Sequence, residues 1–263
     1  MNVLELATRK KQGERLVMVT CYDYTMARIM AQSDVDMILV GDSAAMVMHG
    51  ENTTLPIDVP AMATHVAAVR RGAPDTFLVA DMPFLSYRKG LRAAMEAIET
   101  LMKAGASAVK IEGIAGQEEL VQHVVASGVP VMGHLGLTPQ SVHALGGFRV
   151  QGRSEDDRER LRREAQACQE AGCFSVVLEC VPESLAGQIS EALLIPTIGI
   201  GAGKHTDGQV LVLQDLLGLN DSFSPRFVRQ YLDGRALIGD ALNRFAQDVR
   251  EQSFPSDDER YAE

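Results

Sequence analysis

Short apolar runs alternate with amphipathic segments along nearly the whole chain. The runs are LVMVTCY (16–22), DMILVGD (36–42), TFLVAD (76–81), AVKIEG (108–113), VPVMGHLG (129–136), FSVVLEC (174–180), PTIGIGAG (196–203) and QVLVLQD (209–215). Each is rich in Val and Ile and bounded by turn residues, the pattern of parallel strands buried on both faces. Segments such as LRAAMEAIETLMKAG and EDDRERLRREAQACQEAG lie between them and close on Gly, a helix stop. Eight such units in 263 residues predict an α/β fold, a (β/α)8 TIM barrel. An open doubly wound sheet is the alternative, but no reversal of strand order is evident.

No linker, low-complexity stretch or composition shift divides the chain, so one barrel domain over 1–263 is expected. MNVLELATRKKQG predicts an extra N-terminal helix at about 2–12, covering the barrel bottom. SPRFVRQYLDGRALIGDALNRFAQDVREQ predicts terminal helices packed on the outside, followed by a polar tail at about 253–263. The connection 43–60 is too long for a minimal strand-to-helix loop and is a candidate lid.

Composition narrows the function classes. With 46% hydrophobic and 23% charged residues this is an ordinary globular chain. A net charge of −10 argues against a general nucleic-acid or anionic-membrane binder, which needs a basic face. No secretory leader and no uncharged apolar run of the roughly 18–20 residues needed to span a bilayer is evident. Cys21, Cys168, Cys173 and Cys180 lack metal-like spacing, so reduced thiols and a cytoplasmic location are expected.

Four apolar runs end on an acid: Asp42, Asp81, Glu112 and Glu179. Desolvating a carboxylate costs several kcal/mol unless a cation or proton compensates, so four such endings suggest a shared pocket at the C-terminal edge of the sheet. Asp42, Asp81 and Glu112 end strands two, three and four, which lie about 4.8 Å apart, so they can converge on a hard cation such as Mg2+. Helix caps or rim ion pairs would explain any one of them equally well.

Lys110 shares the inward face with Glu112 and could bind a substrate carboxylate or serve as a counter-ion within the barrel. Ser43 stands where strand two opens into its loop, placed to donate to an anionic ligand. Glu179, on strand six across the mouth, suits proton transfer, with a salt-bridged rim acid as the bland alternative. His134 finishes strand five between these groups, in reach of substrate or metal-bound water, or else is a satisfied core histidine. The turn GIGAG (199–203) has the look of a phosphate-binding turn, but tight packing explains it as well and no phosphate is inferred.

Several segments carry a longer resemblance: VTCYDYTMA, LVGDSAAMVMHG, ADMPFLSY, AGASAVKIEG, GHLGLTPQSVHALGGFRVQGR, VVLECVP and IPTIGIGAGKHTDGQVLVLQD. In this order, over about residues 16–215, they resemble the ketopantoate hydroxymethyltransferase (3-methyl-2-oxobutanoate hydroxymethyltransferase) family. The resemblance implies a (β/α)8 barrel assembling into homodecamers, pentamers of dimers. It implies transfer of a hydroxymethyl unit from 5,10-methylenetetrahydrofolate to 3-methyl-2-oxobutanoate, giving 2-dehydropantoate, toward pantothenate and coenzyme A. By the same resemblance Asp42, Asp81 and Glu112 are the Mg2+-associated acids, while Asp42, Ser43, Asp81 and Lys110 contact the 2-oxo acid. Glu179 is then the proton acceptor. Two positions depart from the family pattern: Ala44-Ala45, where it has a glycine, and Asn52, near where it has an acid.

Two other classes compete. A Mg2+-dependent carbon–carbon lyase or mutase of the phosphoenolpyruvate/isocitrate-lyase type also forms enolates on barrels, but no lyase-type KKCGH segment is present. A non-catalytic metabolite-binding barrel would have no use for a base such as Glu179.

Overall fold

The computed structural model describes residues 1–220 and 225–261. Ser224 and the last two tail residues, named in the expectations above, lie outside the described residues. By internal packing the chain divides into the compact units Met1–Val212 and Leu213–Glu263.

The first unit holds a complete barrel of eight parallel strands, each paired with its neighbours in chain order and the last with the first. They are β1 (Leu16–Thr20), β2 (Met37–Val40), β3 (Phe77–Asp81), β4 (Ala108–Glu112), β5 (Val131–Gly136), β6 (Ser175–Glu179), β7 (Thr197–Ile200) and β8 (Gly208–Leu211). Closure removes every sheet edge, and β2, β3 and β4 are buried along their whole length, as continuous apolar runs require. The helices between strands start on side-chain caps where the sequence supplies them. Asp58 caps Val59–Gly72 and Ser154 caps Glu155–Glu170.

Side-chain alternation assigns every second strand residue to the barrel interior. Those residues form one core: Leu16 and Met18, Met37 and Leu39, Phe77 and Val79, then Ala108, Met132, Val177, Ile198 and Val210. Leu6 joins this core from the helix Val3–Gln12, which begins on an Asn2–Glu5 capping box. The N-terminal helix therefore plugs the bottom of the barrel, as expected.

Two expected boundaries shift. The run 209–215 is not one strand, because β8 stops at Leu211 and a short helix, Leu213–Leu216, follows. An apolar run of that length reads equally as strand or helix. The connection after β2 is not one loop either, since it opens with the helical turn Ala44–Val47. In the Gly-rich turn, Gly203 has φ 75°, and a Cβ there would stand 2.3 Å from the Glu183 side chain, so packing alone demands this glycine.

The second unit contains the helix Gly234–Arg250, begun by an Asp233 cap. Among the described residues no helix is long and apolar enough to cross a membrane, and all four cysteines are free thiols.

Leu6 is only 1% exposed, so its truncation leaves a cavity under the barrel. Leu6→Ala should cost about 2–5 kcal/mol in urea unfolding. A loss below about 0.5 kcal/mol would show that the N-terminal helix is no plug.

Candidate active site

The inward rows that form the core do not end apolar. Phe77–Val79 continues to Asp81, Ala108 to Lys110 and Glu112, Met132 to His134, and Val177 to Glu179. The polar layer is thus the core pattern carried to the C-terminal rim, where barrel enzymes keep their chemistry. Asp42 arrives differently, two residues beyond the end of β2. Asp42, Asp81, Lys110, Glu112 and His134 are all buried, whereas Glu179 keeps 17% of its side chain exposed.

The structure brings the expected residues together. Lys110 Nζ is 3.0 Å from Asp81 Oδ1 and 3.0 Å from His134 Nδ1. His134 Nδ1 lies 3.3 Å from Glu112 Oε1, and its Nε2 lies 3.2 Å from Glu179 Oε2. The Asp42 backbone N–H donates to Asp81 Oδ2 at 3.0 Å. Ser43 sits one step outward, its Oγ 2.8 Å from the Tyr22 hydroxyl.

Three residues escaped the sequence reading. Gln140, from the turn Pro139–Ser141 after β5, donates through Nε2 to Asp42 Oδ2 at 2.8 Å and to the Met82 carbonyl at 2.9 Å. Its backbone N–H donates to Glu112 Oε2 at 3.0 Å. The Tyr87 hydroxyl donates to Gln140 Oε1 at 3.0 Å, and Tyr22 props Ser43. Gln140 lies in the GLTPQSV segment, but an uncharged residue in a loop gives no period by which to aim it.

Burial and the neighbouring charges set the proton affinities. Burial, then the charges of Asp81 and Glu112, pushes Asp42 well above the usual carboxylate range. Burial also raises Asp81, against the pull of Lys110. Burial works to raise Glu112 too, but the hydrogen bond and charge of His134, with Lys110, outweigh it and hold this acid low. Lys110 stays protonated because Asp81, Glu112 and Asp42 overcome its desolvation. Burial and Lys110 oppose a charge on His134, yet Glu112 and Glu179 on its two sides raise it to about 9. The two glutamates thus favour a protonated ring, against the Lys110 amine 3.0 Å from Nδ1.

Four acids thus face two cationic side chains. Asp81 Oδ1 and Glu112 Oε1 are sealed from solvent, with Lys110 Nζ at 3.0 Å from the first and His134 Nδ1 at 3.3 Å from the second. Among the described residues no group of three or more His, Cys, Asp or Glu is arranged to hold a metal by itself. The three expected acids therefore line one wall without forming a preset three-ligand cluster, and Mg2+ commonly completes its shell with water and substrate oxygens. Surplus carboxylate charge and all-oxygen donors suit such a hard cation.

Rigid strands carrying a buried acidic face beside a partly exposed glutamate at the C-terminal mouth define a (β/α)8 barrel of the enzyme kind. The sequence pattern of the ketopantoate hydroxymethyltransferase family matches residues 1–257. The chain is 59% identical over 260 residues to the 3-methyl-2-oxobutanoate hydroxymethyltransferase of Bdellovibrio bacteriovorus, covering 99% of both chains. It is 54% identical over 256 residues to the enzyme of that name from Coxiella burnetii, covering 97% of this chain and 96% of that one. Among solved structures, phosphonopyruvate hydrolase in complex with oxalate and Mg++ superposes with a TM-score of 0.63 at 12% identity, covering 98% and 93% of the two chains. A 2,3-dimethylmalate lyase gives 0.59 at 13%, covering 96% and 87%. These structural likenesses show the fold alone. The chain belongs to the ketopantoate hydroxymethyltransferase family.

His134 offers a direct check on the electrostatics. In the metal-free protein its ring should titrate near pH 9 by NMR, the charged form dominating below that and disappearing above it. The Glu112–His134–Glu179 pairing thus adds stability that is complete below about pH 6.5 and fades as the pH rises through 9. A midpoint at or below 6.5 would remove the pairing.

Proposed function

We propose that this chain transfers a hydroxymethyl unit from 5,10-methylenetetrahydrofolate to 3-methyl-2-oxobutanoate, giving 2-dehydropantoate, the first step of pantothenate biosynthesis. One observation carries this reading. The residues that the family pattern implies, scattered from Asp42 to Glu179, meet in one barrel mouth with Glu179 3.2 Å from His134. The family match runs unbroken over residues 1–257, so we keep 1–263 as one functional domain.

Asp42, Asp81 and Glu112 would hold Mg2+. When bound, the cation would supply Lewis-acid stabilisation of the negative charge that develops on the 2-oxo acid. Lys110 would neutralise the substrate carboxylate. Ser43, held by Tyr22, would donate a hydrogen bond to it, while His134, expected to contact substrate, directs its two ring nitrogens at Glu112 and Glu179. Glu179 would remove the C3 proton, which leaves a carbon nucleophile to attack the folate's one-carbon unit. One water supplies the hydroxyl, both C–N bonds of the methylene bridge break, and tetrahydrofolate leaves as the free amine, so the methylene becomes the hydroxymethyl group. A base in this setting contributes about 100- to 10,000-fold. Connection 43–60 is the candidate cover. A cytoplasmic homodecamer, a pentamer of dimers, is the setting that the family resemblance implies.

Exchange of the C3 hydrogen tests the base. With 3-methyl-2-oxobutanoate and Mg2+ in D2O, the protein should exchange this hydrogen, and Glu179→Gln should slow exchange about 100-fold or more. Unimpaired exchange in the variant would remove Glu179 as the base. Appearance of 2-dehydropantoate only when methylenetetrahydrofolate is supplied separates a transferase from a lyase.

A further inference from the structure

Gln140 touches the two most widely separated parts of the acidic wall and comes from neither of them. Its side chain reaches Asp42, beyond β2, while its backbone holds Glu112, at the end of β4. It is 7% exposed, and every polar atom of its amide is engaged. The amide has no freedom to flip. Asp42 Oδ2 and the Met82 carbonyl are both acceptors, so the NH2 group must face them, and Oε1 must face the Tyr87 hydroxyl. That hydroxyl also lies 3.1 Å from the Glu112 carbonyl, which closes the network back onto β4.

The chemistry of this residue type matters as much as its contacts. Asp42, Asp81 and Glu112 repel one another in a dry site, and something must hold them in place. A lysine or arginine would do so by cancelling their charge and filling the space between them. An amide donates hydrogen bonds yet adds no charge, so it fixes carboxylates while leaving their attraction for a cation intact.

We propose that Gln140 is a positioning residue, a neutral clamp that presets Asp42 and Glu112 for a divalent cation. The proposal rests on the reading of this wall as a cation site, not on the identity of the substrate. Its contact to Asp42 orients the outer acid, its backbone contact orients the inner one, and Tyr87 locks the amide between them. Outer-shell partners of this kind typically contribute about 10- to 100-fold to metal affinity.

Mg2+ titration by calorimetry on the full-length protein without substrate tests this. Gln140→Met keeps the length of the side chain and removes both donors, and its Mg2+ affinity should fall about 10- to 100-fold. Product formation by this variant should need correspondingly more Mg2+ and return close to the parent rate at saturation. Gln140→Asn keeps the amide but shortens its reach, and should weaken Mg2+ in the same direction if the Met variant does not fold. Ser190→Ala serves as the structural control. It breaks a buried 2.6 Å contact with Thr197, at the other end of the barrel, and should lower thermal stability without moving Mg2+ affinity. Mg2+ binding by the folded Gln140 variant within twofold of the parent would overturn the clamp while leaving the cation site standing. A parent that binds no Mg2+ would overturn the clamp and the cation site together. A parent that binds Mg2+, loses affinity on Gln140→Met and forms no 2-dehydropantoate would support the clamp and sink only the transferase reading.

Discussion

A carboxylate taken out of water must find a partner, and this barrel takes four of them to one end. The inward rows that pack Phe77 and Val79, Ala108, Met132 and Val177 below deliver Asp81, Lys110, Glu112, His134 and Glu179 above. Backbone alternation gives the protein no choice in the matter. A residue two positions after a core residue on the same strand points into the same interior. The site is therefore part of the core, built on rigid strands, and its energetics are those of burial. Removing one partner would leave an uncompensated charge, which typically costs several kcal/mol.

Compensation comes in two kinds. Lys110 and His134 supply charge, and they are spent on the inner acids: Lys110 on Asp81, His134 between Glu112 and Glu179. Asp42 receives only hydrogen bonding at its carboxylate, from Gln140. Its high proton affinity follows directly, with burial and two like charges on one side and a distant lysine and an amide on the other. The backbone contributes as well. Gly136, at φ 93°, lets the Glu179 carbonyl approach so closely that a Cβ would stand 2.2 Å from it. Cys180, immediately after Glu179, takes a positive φ of 47° that costs a side-chain-bearing residue about 1–2 kcal/mol. The wall bearing the acid is thus tightly determined on both flanks.

What could be read from the sequence follows from periodicity. Asp81, Glu112 and Glu179 were visible because a buried strand that ends on an acid breaks its own pattern, and Lys110 because it shares the phase of Glu112. The eight strands were visible for the same reason, though their ends overran by one to four residues where apolar character continued into the turn. β8 shows this most clearly, since Val212 and Leu213 extend the run past Leu211 into a helical turn. Gln140, Tyr87 and Tyr22 were not legible. They reach the site from a short turn and from loops, where no repeat says which way a side chain points, and none carries a charge that demands a partner. The division into units at Val212 had no signal either, because composition does not change there.

The two sides of the mouth differ in wetness. Asp42, Asp81 and Glu112 are sealed from solvent, in a low dielectric where attraction to a positive charge is strong. Glu179 retains contact with solvent. As the proposed base, Glu179 must lose the proton it takes from carbon, and its contact with solvent suits that. His134 joins the two regimes: one ring nitrogen faces the buried Glu112 and the other the solvent-touched Glu179, so charge arriving on either glutamate is felt by the other through a single ring. In the proposed mechanism binding falls to the dry wall and proton transfer to the wet one, and this histidine touches both.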